Sequence, residues 1–202
     1  AIRIQGGTLN QVVSNFLGTD ATGNKAFGEI GGDGFTVQFA HGLFMDGNSS
    51  KNTISGNVVS GNHRQGIAIY ESTENTIENN KVGVGADGVT ALGNFENGIL
   101  IDGSFDPAFG NVIHNNIVAH NGSTSPFVDP TAGIKVLRAP STTITDNIAT
   151  DNTGQGIQIQ EGNNLTVTGN TVTGSTEEGL SIDVYLPVFI ATDGATIAGN
   201  TF

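Results

Sequence analysis

Three residues of this chain carry the types and spacing that acid–base chemistry needs: His63, its neighbour Arg64, and Tyr70 six positions on. An imidazole or a phenol can take a proton from carbon, and a guanidinium can stabilise the anion left behind. His63–Arg64 is the only place where two such groups stand side by side. Further bases are available at His41, His114, His120 and Tyr185, and further cations at Lys51, Lys81, Lys135 and Arg138. A second chemistry is open to the acidic residues. Asp33, Asp46, Asp87, Asp102 and Asp193 each precede a glycine, and Asp20 and Asp106 fall in polar stretches. Carboxylates beside backbone carbonyls at tight turns suit Ca²⁺, which makes Asp20, Asp33, Asp87 and Asp102 the candidate ligands. The same Asp-Gly pairs are ordinary turn chemistry, and the nine-residue calcium repeat is absent.

Such groups need a scaffold, and the sequence writes one by repetition. The 23 residues GIKVLRAPSTTITDNIATDNTGQ, starting at Gly133, are followed at once by GIQIQEGNNLTVTGNTVTGSTEE, with Asn147 and Asn170 at matching places. Two anchors alternate along the whole chain. One is Gly-apolar-x-apolar, as at Gly34, Gly66, Gly98, Gly133, Gly156 and Gly179, with Ala1 in the same frame. The other is Ile or Val, two residues, then Asn: Asn15, Asn57, Asn80, Asn116, Asn147, Asn170 and Asn200. Apolar residues alternate with polar ones over three or four positions, which is the period of a strand.

A unit of three short strands cannot cover its own apolar side, so it must stack on copies of itself. The expected fold is all-β: a right-handed parallel β-helix of about seven coils, three short strands per coil, forming one domain over residues 1–202. The asparagines are expected to form an internal ladder, taking up the left-handed backbone of a tight corner while their amides bond up the stack. Their spacing of 42, 23, 36, 31, 23 and 30 makes 23 residues the bare coil. Everything beyond that is loop, placed at 18–33, 83–97 and 119–132 on one edge and at 38–52, 102–111 and 183–195 on the other. Loops on a regular scaffold are the usual place for function.

Composition narrows the partners. Seven Lys and Arg against nineteen Asp and Glu give a net charge of −12, which opposes binding to nucleic acid or an anionic membrane. No apolar run is long enough to span a bilayer, and the absence of cysteine excludes a disulfide scaffold. A β-helix leaves strand edges open at its ends, and no cap is readable at Ala1 or Phe202. The expectation is a piece of a longer chain or copies stacked head to tail, the latter able to grow into a fibre.

The anchors resemble the right-handed parallel β-helix repeat family, which includes pectate-lyase-like and mannuronan C5-epimerase-like proteins. FLGTDATGNKAFGEIGGDGFTV and KVGVGADGVTALGNFENGILI are similar to loop-bearing coils of bacterial surface and secreted β-helix proteins. That resemblance implies an extracellular or cell-surface setting and a polysaccharide, or other copies of the chain, as partner. GNVVSGNHRQGIAIYESTENT is similar in rhythm to the epimerase coil carrying an Asn-Asp-Arg-His-Gly motif, which would make Arg64 the motif's arginine. Gln65 stands at the histidine position of that motif. Phe105-Asp106-Pro107-Ala108 is the nearest string to the family's Asp-Pro-His-Glu, with Ala108 in place of the histidine. Two functions are therefore carried forward. One is a structural or glycan-facing surface module with no required cofactor; the other is a polysaccharide lyase or C5-epimerase using His63, Arg64 and Tyr70.

Overall fold

The computed structural model describes residues 1–27, 40–106, 108–125, 129–183 and 194–202. The chain winds through seven coils. The first holds β1 (Ile2–Gln5), β2 (Gln11–Val13) and β3 (Phe16–Leu17), and the second β4 (Leu43–Asp46), β5 (Thr53–Ser55) and β6 (Val58–Val59). The third holds β7 (Ile67–Tyr70), β8 (Thr76–Glu78) and β9 (Lys81–Val82), and the fourth β10 (Ile99–Asp102), β11 (Val112–His114) and β12 (Ile117–Ala119). The fifth holds β13 (Ala132–Leu137), β14 (Thr143–Thr145) and β15 (Ile148–Thr150), and the sixth β16 (Gln155–Gln160), β17 (Thr166–Thr168) and β18 (Thr171–Thr173). β19 (Leu180–Asp183) and β20 (Thr196–Ala198) belong to the seventh. Each strand pairs in parallel with its counterpart one coil away, giving sheets of seven, seven and six strands. This is the expected β-helix.

Strand length explains the core. A three-residue strand with a two-residue period turns one side chain inward, so the second sheet contributes one apolar column, in which Val12, Ile54, Ile77, Ile113, Ile144 and Val167 are buried. The longer strands of the first sheet, of four or six residues, each turn two apolar side chains inward. Leu43, Ile67, Ile99, Ile134 and Ile157 form one column and Met45, Ile69, Ile101, Val136 and Ile159 the next. Each fully buried side chain of this size contributes about 1.5–3 kcal/mol.

Glycine recurs at the first-sheet corners of coils two to six because there is no room for a side chain. A Cβ on Gly98 would lie 2.7 Å from the carbonyl oxygen of Gly133, and one on Gly133 would meet Gly156 O at 2.7 Å.

Two expectations need correction. The first-sheet strand of coil two is Leu43–Asp46, paired with Ile2–Gln5 and with β7, rather than the segment after Gly34, which lies outside the described residues. Gly42-Leu43-Phe44-Met45 carries the same anchor, so part of the expected loop at 38–52 is strand.

The second correction concerns the corners. The left-handed residue is the one before each ladder asparagine: Ser14, Gly56, Asn79, Asn115, Asp146, Gly169 and Gly199 have φ between 52° and 68°. The asparagine itself turns inward and bonds. Asn116 N–H and Nδ2 both donate to Asn147 Oδ1 at 2.9 and 3.0 Å, and Asn147 repeats this on Asn170. The expected ladder is present from Asn15 to Asn200. Two more run beside it, Asn10-Asn52-Asn75-Asn111 and Asn62-Asn94-Asn121-Asn152, with the same paired bonds.

Candidate functional site on the outer face of the first sheet

Alternation that sends Ile67 and Ile69 inward sends Ala68 and Tyr70 outward, and it does so on every strand of the first sheet. Outward side chains normally meet water. Here Ala68, Leu100, Lys135 and Gln158 are only 0–9% exposed, so the middle of this face is a covered groove. Tyr70 stands in register beside Asp102, and Leu100 beside Lys135, which itself neighbours Gln158.

Between coils three and five the groove deepens into a cavity of about 280 Å³. Arg64, Gln65, Tyr70, Glu96, Asn97, Asp102, Asp129 and Lys135 line it. Arg64 Nε donates to Glu96 Oε1 at 3.0 Å, and Lys135 Nζ donates to the Pro130 carbonyl at 3.1 Å. Burial pushes the Lys135 ammonium pKa down, while the charges of Asp129, Asp102 and Asp183 pull it back up. Burial raises the Tyr70 phenol, and the Asp102 carboxylate adds to the effect against the opposing charge of Arg64. Tyr70 is thus a proton donor at neutral pH.

Toward coil one the groove becomes aromatic. His41 stacks on Phe44 with ring centroids 5.0 Å apart, Phe44 lies 5.5 Å from Tyr70, and the Arg3 guanidinium sits 5.4 Å from the Phe44 centroid. Burial, aided by the charge of Arg64, lowers the His41 pKa to about 4. Its imidazole is neutral at pH 7.

The expected trio is only partly brought together. Arg64 and Tyr70 share the cavity, whereas His63 lines a separate cleft of about 290 Å³ with His120, Phe95 and Asn94. His114 lies on the second sheet, its Nδ1 3.0 Å from Thr145 Oγ1 and 3.5 Å from Asp146. Arg138 pairs with the buried carboxylate of Glu161 at 2.6 Å, and Lys51 makes an exposed contact with Glu74 at 3.7 Å. Tyr185 and Asp33 lie outside the described residues. Gln65, Glu96, Asn97 and Asp129 escape a search for catalytic types. A signal for the first and third existed, because both precede the corner glycine, as does His41.

Of the acidic candidates, Asp20, Asp87 and Asp102 are occupied by their own turns. Asp20 Oδ1 accepts from Thr22 N–H at 3.1 Å and from the Thr22 hydroxyl at 2.7 Å. Asp87 accepts from Val89 N–H, Thr90 N–H and the Thr90 hydroxyl, and Asp102 from Ser104. Among the described residues no group of three or more His, Asp or Glu side chains is placed to hold a metal ion.

Asp87 also sets an acid limit on its hairpin. The Thr90 hydroxyl and the two amides hold its pKa at about 2. A carboxylate depressed on folding contributes stability above its unfolded pKa near 4 and loses it as pH falls through the folded value. The hairpin at 84–91 is therefore expected to loosen between about pH 4 and pH 2. The Thr90 amide should lose hydrogen-exchange protection over that window and do so at neutral pH in Asp87→Ala; protection unchanged in the variant would remove this role.

Comparison with known proteins agrees with the winding. The family described as right handed beta helix region matches residues 41–202. This chain belongs to that family. Solved structures similar to the β-helix include the periplasmic alginate epimerase AlgG in a single-mutant form, with TM-score 0.53, 15% identity and 78% of this chain covered. A double-mutant form of the same epimerase gives 0.52, 16% and 78%. At this identity the likeness is one of fold. The chain spans 46% and 44% of those two structures, less than half of either. No curated protein sequence matches the β-helix significantly.

Proposed function

We propose that this β-helix is a glycan-binding module working outside the cytoplasm, with the sugar chain lying along the outer face of the first sheet. The observation that carries the reading is the placing of two kinds of sugar-binding surface side by side on one sheet face. Phe44 and Tyr70 give it an aromatic end, and the adjoining cavity offers buried polar groups, Lys135 and Gln65 among them. Covering outward residues of a sheet that is otherwise self-sufficient needs loops that the coils themselves do not require. The periplasmic setting of the similar epimerase supports a place outside the cytoplasm.

The test is retention on a panel of immobilised polysaccharides, compared with Tyr70→Ala and Lys135→Met, each checked for folding by circular dichroism. A ligand of the groove should bind both variants at least about tenfold more weakly, close to 1.4 kcal/mol. Variants that bind as the native chain does, or a panel that retains nothing, would end this reading.

A second reading, a lyase or C5-epimerase acting on an acidic polysaccharide, draws support from one juxtaposition. Neutral His41 lies at the Phe44–Tyr70 end of the groove, and the charge of Arg64 acts on both His41 and Tyr70. His41 would take the C5 proton, Arg64 would stabilise the anion, and protonated Tyr70 would protonate the leaving oxygen or the opposite face. Incubation with oligouronates should then release unsaturated ends or invert C5, and His41→Gln should stop it.

A further inference from the structure

Hydrogen-bonding capacity is left unused along this sheet and its corners. Gln65, Gln155 and Gln158 are 5%, 8% and 4% exposed, and the Oε1 atom of each is buried, those of Gln155 and Gln158 without a partner and that of Gln65 beside His41. Asp46 Oδ1 is likewise buried without a partner. Gln155 cannot be turned over to change this, because its Nε2 already donates to Glu177. Among the described residues the buried orphan atoms thus gather on first-sheet strands or their glycine corners, and Gln155 Oε1 is an acceptor whichever way the other amides are turned. An unpartnered buried acceptor costs free energy until a donor reaches it.

Charge points the same way. The two cations of the cavity, Arg64 and Lys135, face three carboxylates, Glu96, Asp102 and Asp129, and Arg64 is already paired with Glu96 at 3.0 Å. Arg3, further along the groove, is spent on Asp46 at 2.6 Å. A polyuronate, whose hydroxyls donate as those of any sugar do, would add one carboxylate per residue to a cavity whose three carboxylates already outnumber its two cations.

We infer that the groove selects a glycan without carboxylates, one that brings hydroxyl or amino hydrogens to Gln65 and to the carboxylates of the cavity. This rests on the glycan-binding reading and narrows its ligand. Sugar hydroxyls satisfy Gln65 directly, and an amino sugar adds attraction to Asp102 and Asp129.

The experiment is calorimetric titration of the native chain with a glucose oligomer, a glucosamine oligomer and an oligouronate, at low and raised salt. Gln65→Leu, Gln65→Glu and Asp129→Asn are titrated alongside. One of the two non-anionic oligomers should bind at least about tenfold tighter than the oligouronate at low salt. Gln65→Leu should lose about tenfold, Gln65→Glu, which keeps an acceptor, should lose less, and Asp129→Asn should weaken only the glucosamine oligomer. Tightest binding of the oligouronate overturns the inference, leaves the groove standing and favours the second reading above. Non-anionic binding untouched by all three substitutions overturns it too, by placing the ligand elsewhere. Binding in no arm removes the groove as a glycan site, and the inference with it.

Discussion

Replacing Asn116 with alanine is expected to cost about 3–5 kcal/mol, far more than removing one surface amide would. At the middle of its ladder Asn116 Oδ1 accepts from both Asn80 N–H and Asn80 Nδ2, at 2.9 and 3.0 Å. Its own Nδ2 donates to Ile77 O, His114 O and Asn147 Oδ1. Asn116 is 1% exposed and Asn80 is 1% exposed, so water cannot take over these bonds. Truncation strands buried donors and acceptors on both neighbouring coils, each at about 1–3 kcal/mol, with some relief as the corner relaxes. Asn15, in the first coil, is half-buried and receives no bond from an earlier coil, so Asn15→Ala should cost about 1 kcal/mol. Urea unfolding of the two variants measures the difference through the midpoint at constant slope. Equal losses would mean that position in the ladder is irrelevant and that the paired bonds do not set its strength.

The second large effect is expected at Gly154. Its φ is +84°, and a Cβ built there lies 1.9 Å from the carbonyl oxygen of Thr131 and 3.0 Å from its carbon. Both atoms are backbone, so no side-chain rotation relieves the contact. Gly154→Ala should therefore combine the left-handed penalty of about 1–2 kcal/mol with an overpacking cost of about 1–3 kcal/mol or more. Gly88 is the control. It has φ +79°, but the nearest atom to its Cβ is Lys81 Cε at 3.7 Å, so Gly88→Ala should show only the conformational part. Thermal melting of the pair separates the two contributions, and similar melting temperatures would show that coils five and six can part at this corner without penalty.

The winding was legible because its rules are local. Gly98 is required by the oxygen of Gly133 one coil away, and Ile113 by the single inward place of a three-residue strand, and both requirements recur at intervals the eye can compare. Coil two misled for the same reason: Gly34 and Gly42 both open the anchor, and only pairing with Ile2–Gln5 decides between them. The two additional ladders were also written out. Asn10, Asn52, Asn75 and Asn111 keep the 42, 23 and 36 spacing of the first ladder, five residues earlier.

The site was harder to read, because neighbours in sequence need not be neighbours in space. His63 and Arg64 are adjacent residues that line different cavities, while Asp129 reaches Arg64's cavity from two coils further on. Gln65 gains its meaning only from burial, and a glutamine carries no mark of that in the sequence.

The column of glycine corners and the three ladders depend on each coil meeting its neighbour in one fixed frame, whatever hangs from it. Coils six and five are both 23 residues long, so excising residues 156–178 brings Gly133 against Gly179 and Asn147 against Asn200. Length can therefore change in whole turns, by a duplication or deletion of the gene, and the joint is already made. The loss or gain of a single codon inside a strand has the opposite outcome, turning the apolar column of that coil out to solvent.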